Sequence, residues 1–128
     1  MSRGRILVVD DEIYIVHILD FSLGMEGYEV VTALDGEEGL AKAIEFKPDL
    51  VVLDIMMPKM DGSEVAADFM NDREFKRTPL IFLTALVTNQ EVKNSSVSSA
   101  KRTYLPKPIN WTELVDAIQA VRHPVAVA

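Results

Sequence analysis

Three aspartates, one threonine and one lysine hold most of the reactive chemistry in this sequence, and each stands at the end of a short apolar run. Asp10 and Asp11 follow Ile6-Leu7-Val8-Val9, and Asp54 follows Leu50-Val51-Val52-Leu53. Thr84 follows Leu80-Ile81-Phe82-Leu83, and Lys107 comes one proline after Thr103-Tyr104-Leu105. Carboxylates brought together in a partly dry site raise one another's pKa unless a cation intervenes. Oxygen donors without His or Cys select Mg²⁺, with Mn²⁺ as the substitute, and Mg²⁺ keeps several waters beside one or two carboxylates. A carboxylate beside such an ion can attack phosphorus and form an acyl phosphate. A Lys ammonium and a Thr hydroxyl suit the oxygens of the transferred group.

Each of these residues also has a plainer reading. Asp10 or Asp11 can cap a following helix. Asp54 can be a solvated strand-end residue, Lys107 a surface lysine and Thr84 a strand-end hydroxyl. Taken singly, the plainer reading is the stronger. Taken together on one edge of a sheet, the five favour a site, since capping explains at most one of the acids. The Lys107–Pro108 bond is open to either isomer, trans being the commoner.

The elements that must position these residues are legible in the hydrophobic pattern. Unbroken runs of Val, Ile and Leu are the mark of strands buried on both faces, and the alternating Tyr28-Glu29-Val30-Val31 suits a more exposed edge. Between them lie helical patterns. Residues 12–23 are apolar at Ile15, Val16, Leu19 and Leu23, with Gly24 as the stop. Asp35 with Glu38 opens a helix carrying Leu40, Ala41 and Ile44 on one side. Val65, Ala66, Phe69 and Met70 form a third stripe, and Asn110 with Glu113 opens a helix with Leu114, Ile118 and Val121. The fourth helix, over 88–100, is the doubtful one, because its Asn94-Ser95-Ser96-Val97-Ser98-Ser99 run has poor helix propensity. Alternation of strand and helix implies a doubly wound α/β fold of flavodoxin-like order 2-1-3-4-5, with five parallel strands and five helices. In such sheets the functional crevice lies beyond the C-terminal strand ends.

At 128 residues the chain fits one domain over 1–128, with its core over about 4–122 and a tail at 123–128. A formal charge of −7 disfavours direct contact with nucleic acid and favours cations or basic partner surfaces. No apolar run in the sequence is long enough for a bilayer or a signal-peptide core, and there is no cysteine. A cytoplasmic protein is the simplest expectation.

The motifs Ile6-Leu7-Val8-Val9-Asp10-Asp11-Glu12, Asp54-Ile55-Met56-Met57-Pro58-Lys59-Met60-Asp61-Gly62, Phe82-Leu83-Thr84-Ala85 and Tyr104-Leu105-Pro106-Lys107-Pro108-Ile109 resemble those of the response-regulator receiver family. Order and spacing agree over almost the whole chain. The resemblance implies that Asp54 is the phosphoacceptor, with Asp11 a direct Mg²⁺ ligand and Asp10 acting partly through water. It implies further that Met56 offers its backbone carbonyl to the metal, that Lys107 pairs with a phosphoryl oxygen, and that Thr84 and Tyr104 are the switch pair. Phosphorylation would then repack the face of the fourth helix, fifth strand and fifth helix. Such a protein acts only on its own phosphorylation and is not a turnover enzyme.

The sequence departs from the family where Ser99-Ala100 replaces the usual Gly-Ala, which bears on the output face and not on the phosphorylation site. The fourth helix is expected to be short or mobile before activation, and slow amide exchange across 87–99 would exclude that. The first helix is unusually apolar: Ile13, Tyr14, Ile15, Val16, Ile18, Leu19 and Phe21 cannot all face one sheet. Some must be exposed beside Asp54, where the family meets a sensor histidine kinase or a histidine phosphotransfer protein. His17 on that helix reads as a surface or packing residue, and His123 has no assigned role. Three rivals stand beside this reading. A flavin protein would need a phosphate loop where the acidic Asp10-Asp11-Glu12 stands, and an Asp-nucleophile phosphatase would need an acid at Met56. A docking module that never carries phosphate is the remaining one. The sequence leaves open a single-domain regulator, a relay intermediate or a piece of a larger protein.

Overall fold

Strands that read as continuous Val, Ile and Leu need cover on both faces, and the arrangement of this chain supplies it. The computed structural model describes residues 3–54, 78–84 and 102–122. Strands β1 (Arg5–Val9), β2 (Glu29–Ala33), β3 (Leu50–Asp54), β4 (Leu80–Thr84) and β5 (Arg102–Pro106) form one parallel sheet in the order β2-β1-β3-β4-β5. The described helices are α1 (Ile13–Met25), α2 (Gly36–Phe46) and α3 (Trp111–Arg122), the last being the fifth of the five expected. The third and fourth expected helices, the 87–99 stretch and the tail lie outside the described residues.

Side chains alternate across each strand, and the core divides accordingly. Ile6, Val8, Leu50, Val52, Ile81 and Leu83 face Val16, Leu19 and Leu23 of α1 with Leu114 and Ile118 of α3. Leu7, Val9, Val51, Leu53, Leu80 and Phe82 face the other way, with Ala43 of α2 among them. Each fully buried aliphatic side chain contributes about 1.5–3 kcal/mol, so both faces hold the central strands in place.

Two local expectations are corrected, and one open point is decided. The first helix does not stop at Gly24 but runs to Met25. The chain turns instead at Gly27, whose φ of +98° glycine adopts without strain. There the Gly27 N–H donates to the Gly24 carbonyl at 3.0 Å and the Tyr28 N–H to that of Leu23 at 3.1 Å, the paired bonds that close a helix C-terminus. In α2 the buried residues are Gly36, Gly39 and Ala43, with Leu40 half-buried and Ala41 and Ile44 exposed. A Cβ on Gly39 would meet Val9 Cγ2 at 2.9 Å, so this helix sits too close to β1 for large residues. The Lys107–Pro108 bond is cis.

The caps follow the sequence. Asp35 accepts the Glu38 N–H at 2.8 Å and Asn110 accepts that of Glu113 at 3.0 Å. The Glu38 carboxylate in turn accepts the Leu34 N–H at 2.9 Å.

Candidate functional site

Strand register carries the reactive residues to one place. Val9 pairs with Leu53, Asp54 with Leu83 and Thr84 with Pro106. Asp10, Asp54, Thr84 and Lys107 therefore leave the sheet along the same C-terminal edge, beside the point between β1 and β3 where the strand order reverses. The Lys107 N–H donates to the Thr84 carbonyl at 2.8 Å, which ties the lysine loop to β4. Asp10, Asp54 and Thr84 are buried.

The centre of the site is the Lys107 ammonium. Its Nζ lies 3.1 Å from Asp54 Oδ2, 3.1 Å from Asp10 Oδ2 and 3.0 Å from Glu12 Oε1. The contacts to Asp54 and Glu12 are hydrogen bonds. The one to Asp10 is an ion pair, and Asp10 Oδ2, though buried, accepts no further hydrogen bond among the described residues. The other Asp10 oxygen accepts the Glu12 backbone N–H at 2.9 Å. Glu12 is the N-cap residue of α1 and its side chain makes no cap hydrogen bond, so neither Asp10 nor Asp11 stands in the N-cap position.

These contacts shift the titrations. Burial pushes the Asp10 carboxyl up to about 6, reinforced by the Asp54 charge and opposed by the Glu12 N–H and Lys107. For Lys107, burial disfavours the charge, but the bonds to Glu12, Asp10 and Asp54 outweigh it and hold the ammonium above the ordinary lysine range. Glu12 is held below the usual carboxylate range, first by the Tyr14 hydroxyl and then by Lys107. That hydroxyl donates to Glu12 Oε2 at 2.7 Å, and the same bond raises the Tyr14 phenol.

Of the residues singled out in the sequence, Asp10, Asp54, Thr84 and Lys107 come together here. Asp11 is exposed and is not among the carboxylates whose oxygens converge, and Met56 lies outside the described residues. Tyr104, half-buried on β5, stacks on its register partner Phe82 with ring centroids 4.8 Å apart and planes at 21°. Glu12 is a site residue that the strand-end pattern alone does not single out. The available signal was the acidic run itself, since extended backbone after a strand end returns residues 10 and 12 to one side. His17 is exposed on α1.

One oxygen from each of Asp10, Glu12 and Asp54 lies within 4.8 Å of the others. Three carboxylates against one ammonium leave two negative charges, and the buried Asp10 Oδ2 has only a share of the Lys107 ammonium, 3.1 Å away. An oxygen-only donor set with that excess fits a hard divalent cation such as Mg²⁺. Beside it, Glu12 and Lys107 also wall a groove of about 530 Å³ with Tyr14, Ile18, Ile109 and Trp111. On α1, Ile13, Tyr14, Ile18, Phe21 and Met25 are exposed, while Val16, Leu19 and Leu23 take the core. No described helix is long and apolar enough to cross a membrane.

Comparison with known proteins agrees with this geometry. The family model described as the response regulator receiver domain matches residues 6–119. The chain is 37% identical over 117 residues to the DNA-binding dual master transcriptional regulator RpaA of Synechocystis sp., covering 91% of this chain and 48% of that protein. It is 38% identical over 120 residues to the alkaline phosphatase synthesis transcriptional regulatory protein PhoP of Bacillus subtilis, again 91% and 48%. The chain thus spans about half the length of these curated relatives. Among solved structures, chemotaxis protein CheY4 of Vibrio cholerae superposes with a TM-score of 0.81 at 34% identity, over 94% of this chain and 98% of that one. The response regulator TrrA of Thermotoga maritima, solved in complex with Mg²⁺-BeF, gives 0.76 at 39% identity over 94% and 99%.

Proposed function

The chain belongs to the response-regulator receiver family, and on that premise we propose that Asp54 is its phosphoacceptor, taking the phosphoryl group from a phosphohistidine donor. The observation that carries this reading is the Lys107 ammonium bonded at once to Asp54, Asp10 and Glu12 at the C-terminal edge of the sheet. In the transfer, an Asp54 carboxylate oxygen attacks phosphorus, the P–N bond to the donor imidazole breaks as the P–O bond forms, and the imidazole leaves with the electron pair. In this reading Lys107 neutralises one phosphoryl oxygen and the Thr84 hydroxyl donates to another.

Mg²⁺ held by Asp10, Glu12 and Asp54 would neutralise charge on the transferring oxygens. Asp11, exposed beside them, and the Met56 carbonyl are the further ligands the family resemblance implies. The protein acts on its own aspartate and turns over no other substrate. Residues 1–128 serve as one receiver domain with its core over about 4–122, working in the cytoplasm.

The donor, a sensor histidine kinase or a histidine phosphotransfer protein, docks along α1 through the region of Ile13, Tyr14, Ile15, His17 and Ile18. The exposed apolar side chains there adjoin the site through Glu12 and Lys107. On the far side, Thr84 draws toward the phosphoryl group, Tyr104 turns, and the face that includes β5 and α3 repacks.

The test is intact mass after incubation with acetyl phosphate and Mg²⁺. One phosphoryl group gained by the wild type, and none by Asp54→Ala or with Mg²⁺ chelated, supports the reading. Gain in Asp54→Ala equal to the wild type would overturn it, and no gain in the wild type from acetyl phosphate or from a phosphohistidine donor would favour a docking module.

A further inference from the structure

Phe82 and Thr84 stand two residues apart on β4, so their side chains share one face of the sheet. Tyr104, the register partner of Phe82 on β5, lies on that face as well. The two rings form a stack, centroids 4.8 Å apart and planes at 21°. Its members are unequal. Phe82 is 3% exposed and belongs to the core with Val9, Leu53 and Leu80, whereas Tyr104 is half-buried and only packs against that cluster. Of the two, Tyr104 is the ring with room to move.

The stack coexists with a direct bond from Lys107 to the Asp54 carboxylate, 3.1 Å long. A ring that turns inward beside Thr84 travels toward the C-terminal edge of the sheet. Two residues of parallel strand, about 6.6 Å, separate Thr84 from Phe82. Tyr104 therefore has to slide off Phe82 to fill that place.

We propose that Phe82 is the latch of Tyr104: its ring holds Tyr104 stacked while Lys107 binds the Asp54 carboxylate, and Tyr104 leaves the stack when Asp54 carries a phosphoryl group. The inference rests on the readings of Asp54 as phosphoacceptor and Tyr104 as switch residue. Phe82 is a positioning residue here, acting on Tyr104 and taking no part in the chemistry at Asp54. One aromatic pair biases Tyr104 toward the stacked position by about 2- to 12-fold. A ligand that mimics the phosphoryl group has to overcome that bias, so removing the pair tightens its binding by the same factor.

The experiment uses beryllofluoride with Mg²⁺, a reversible mimic of the phosphoryl group on an aspartate, in protein carrying ring-¹³C Phe and Tyr. The Phe82 and Tyr104 signals are assigned by their loss in Phe82→Leu and Tyr104→Leu. In the wild type, the nuclear Overhauser effect between the two rings is present without beryllofluoride and lost at saturation. Phe82→Leu keeps a buried apolar side chain and removes the ring, and it binds beryllofluoride about 2- to 12-fold more tightly than the wild type. In the Tyr104→Leu background the same substitution leaves the affinity unchanged, because no ring remains to be released. General weakening of β4 would lower the affinity in both backgrounds and leave the wild-type ring contact untouched.

Tyr104 signals that shift with beryllofluoride while the contact to Phe82 persists overturn the inference and leave the switch reading standing. So does a Phe82→Leu protein that binds no more tightly than the wild type, or one that gains equally with and without Tyr104. Tyr104 signals unmoved at saturation overturn the switch reading and the inference with it. A wild type that binds no beryllofluoride overturns the phosphoacceptor reading as well.

Discussion

Asp10 is the place where the site works against the stability of the fold. Its carboxyl is fully buried, one oxygen has no hydrogen-bond partner among the described residues beyond its ion pair with Lys107, and its pKa is pushed from the ordinary 3.8 to about 6. Replacing it with asparagine keeps the shape and the oxygen that accepts the Glu12 N–H but removes the charge. The raised value means that the folded state holds its proton where the unfolded chain has lost it. Below about pH 4 both states are protonated and ionisation imposes no penalty. Between about 4 and 6 the unfolded chain ionises first and wild-type stability falls, and above 6 the full penalty applies. At about 1.36 kcal/mol per pH unit, the move from 3.8 to about 6 amounts to about 3 kcal/mol. Lys107, raised above its ordinary range, stabilises at every pH in this window and is lost only in alkali. Glu12, lowered, stabilises above its ordinary value and loses that contribution in acid, in both proteins alike. The pH dependence of the difference between wild type and Asp10→Asn over this window therefore reports Asp10, whose lost pairing with Lys107 is part of the difference itself. Urea unfolding in chelator should show the variant ahead by about 3 kcal/mol at pH 8, the gap closing toward pH 4. A variant less stable than the wild type at pH 8, or a gap that does not change with pH, would refute the reasoning.

Lys107→Met should act in the opposite direction: it leaves Asp54 and Asp10 buried without a counter-charge and should lower stability by about 3–5 kcal/mol in chelator. Mg²⁺ should restore part of that loss, and a variant as stable as the wild type without metal would contradict the network. Gly39→Ala gains helix propensity of about 1 kcal/mol, yet its Cβ meets the stiff Val9 side chain at 2.9 Å. Overpacking of about 1–3 kcal/mol should dominate, giving a lower melting temperature; a higher one would show that α2 can retreat from β1. Ile18→Glu, on the exposed side of α1, should leave phosphorylation by acetyl phosphate within about twofold of the wild type while slowing transfer from a phosphohistidine protein at least about 10-fold, an interface effect above about 1.4 kcal/mol. Equal slowing with both donors would place the damage in the fold and not in docking.

The positions of Asp10, Asp54, Thr84 and Lys107 were legible because few local choices were involved. Unbroken aliphatic runs define buried parallel strands, and parallel register then carries every strand end to one edge. The exposure of much of α1 was equally forced, since a helix apolar on all sides cannot bury them all.

What stayed hidden depends on close approach. The buried side of α2 is made of Gly36, Gly39 and Ala43, and a search for large apolar residues selects Ala41 and Ile44 on the wrong side. Gly24 and Gly27 both suit a helix end, and only the bonds from Gly27 and Tyr28 back to Gly24 and Leu23 decide between them. The Lys107–Pro108 isomer is a tertiary matter that the dipeptide does not encode. Glu12 escaped notice because its role needs two partners far apart in different senses, Tyr14 two residues on and Lys107 ninety-five residues on.

The central claim is that the phosphoryl group goes to Asp54, and the most direct measurement locates it there. Protein phosphorylated with acetyl phosphate and Mg²⁺ is reduced with borohydride, which converts an acyl-phosphorylated aspartate to homoserine, and the peptides are sequenced by mass spectrometry. Homoserine at position 54 alone is the result expected. Homoserine at Asp10, Asp11 or another carboxylate, with Asp54 unchanged, would contradict the account.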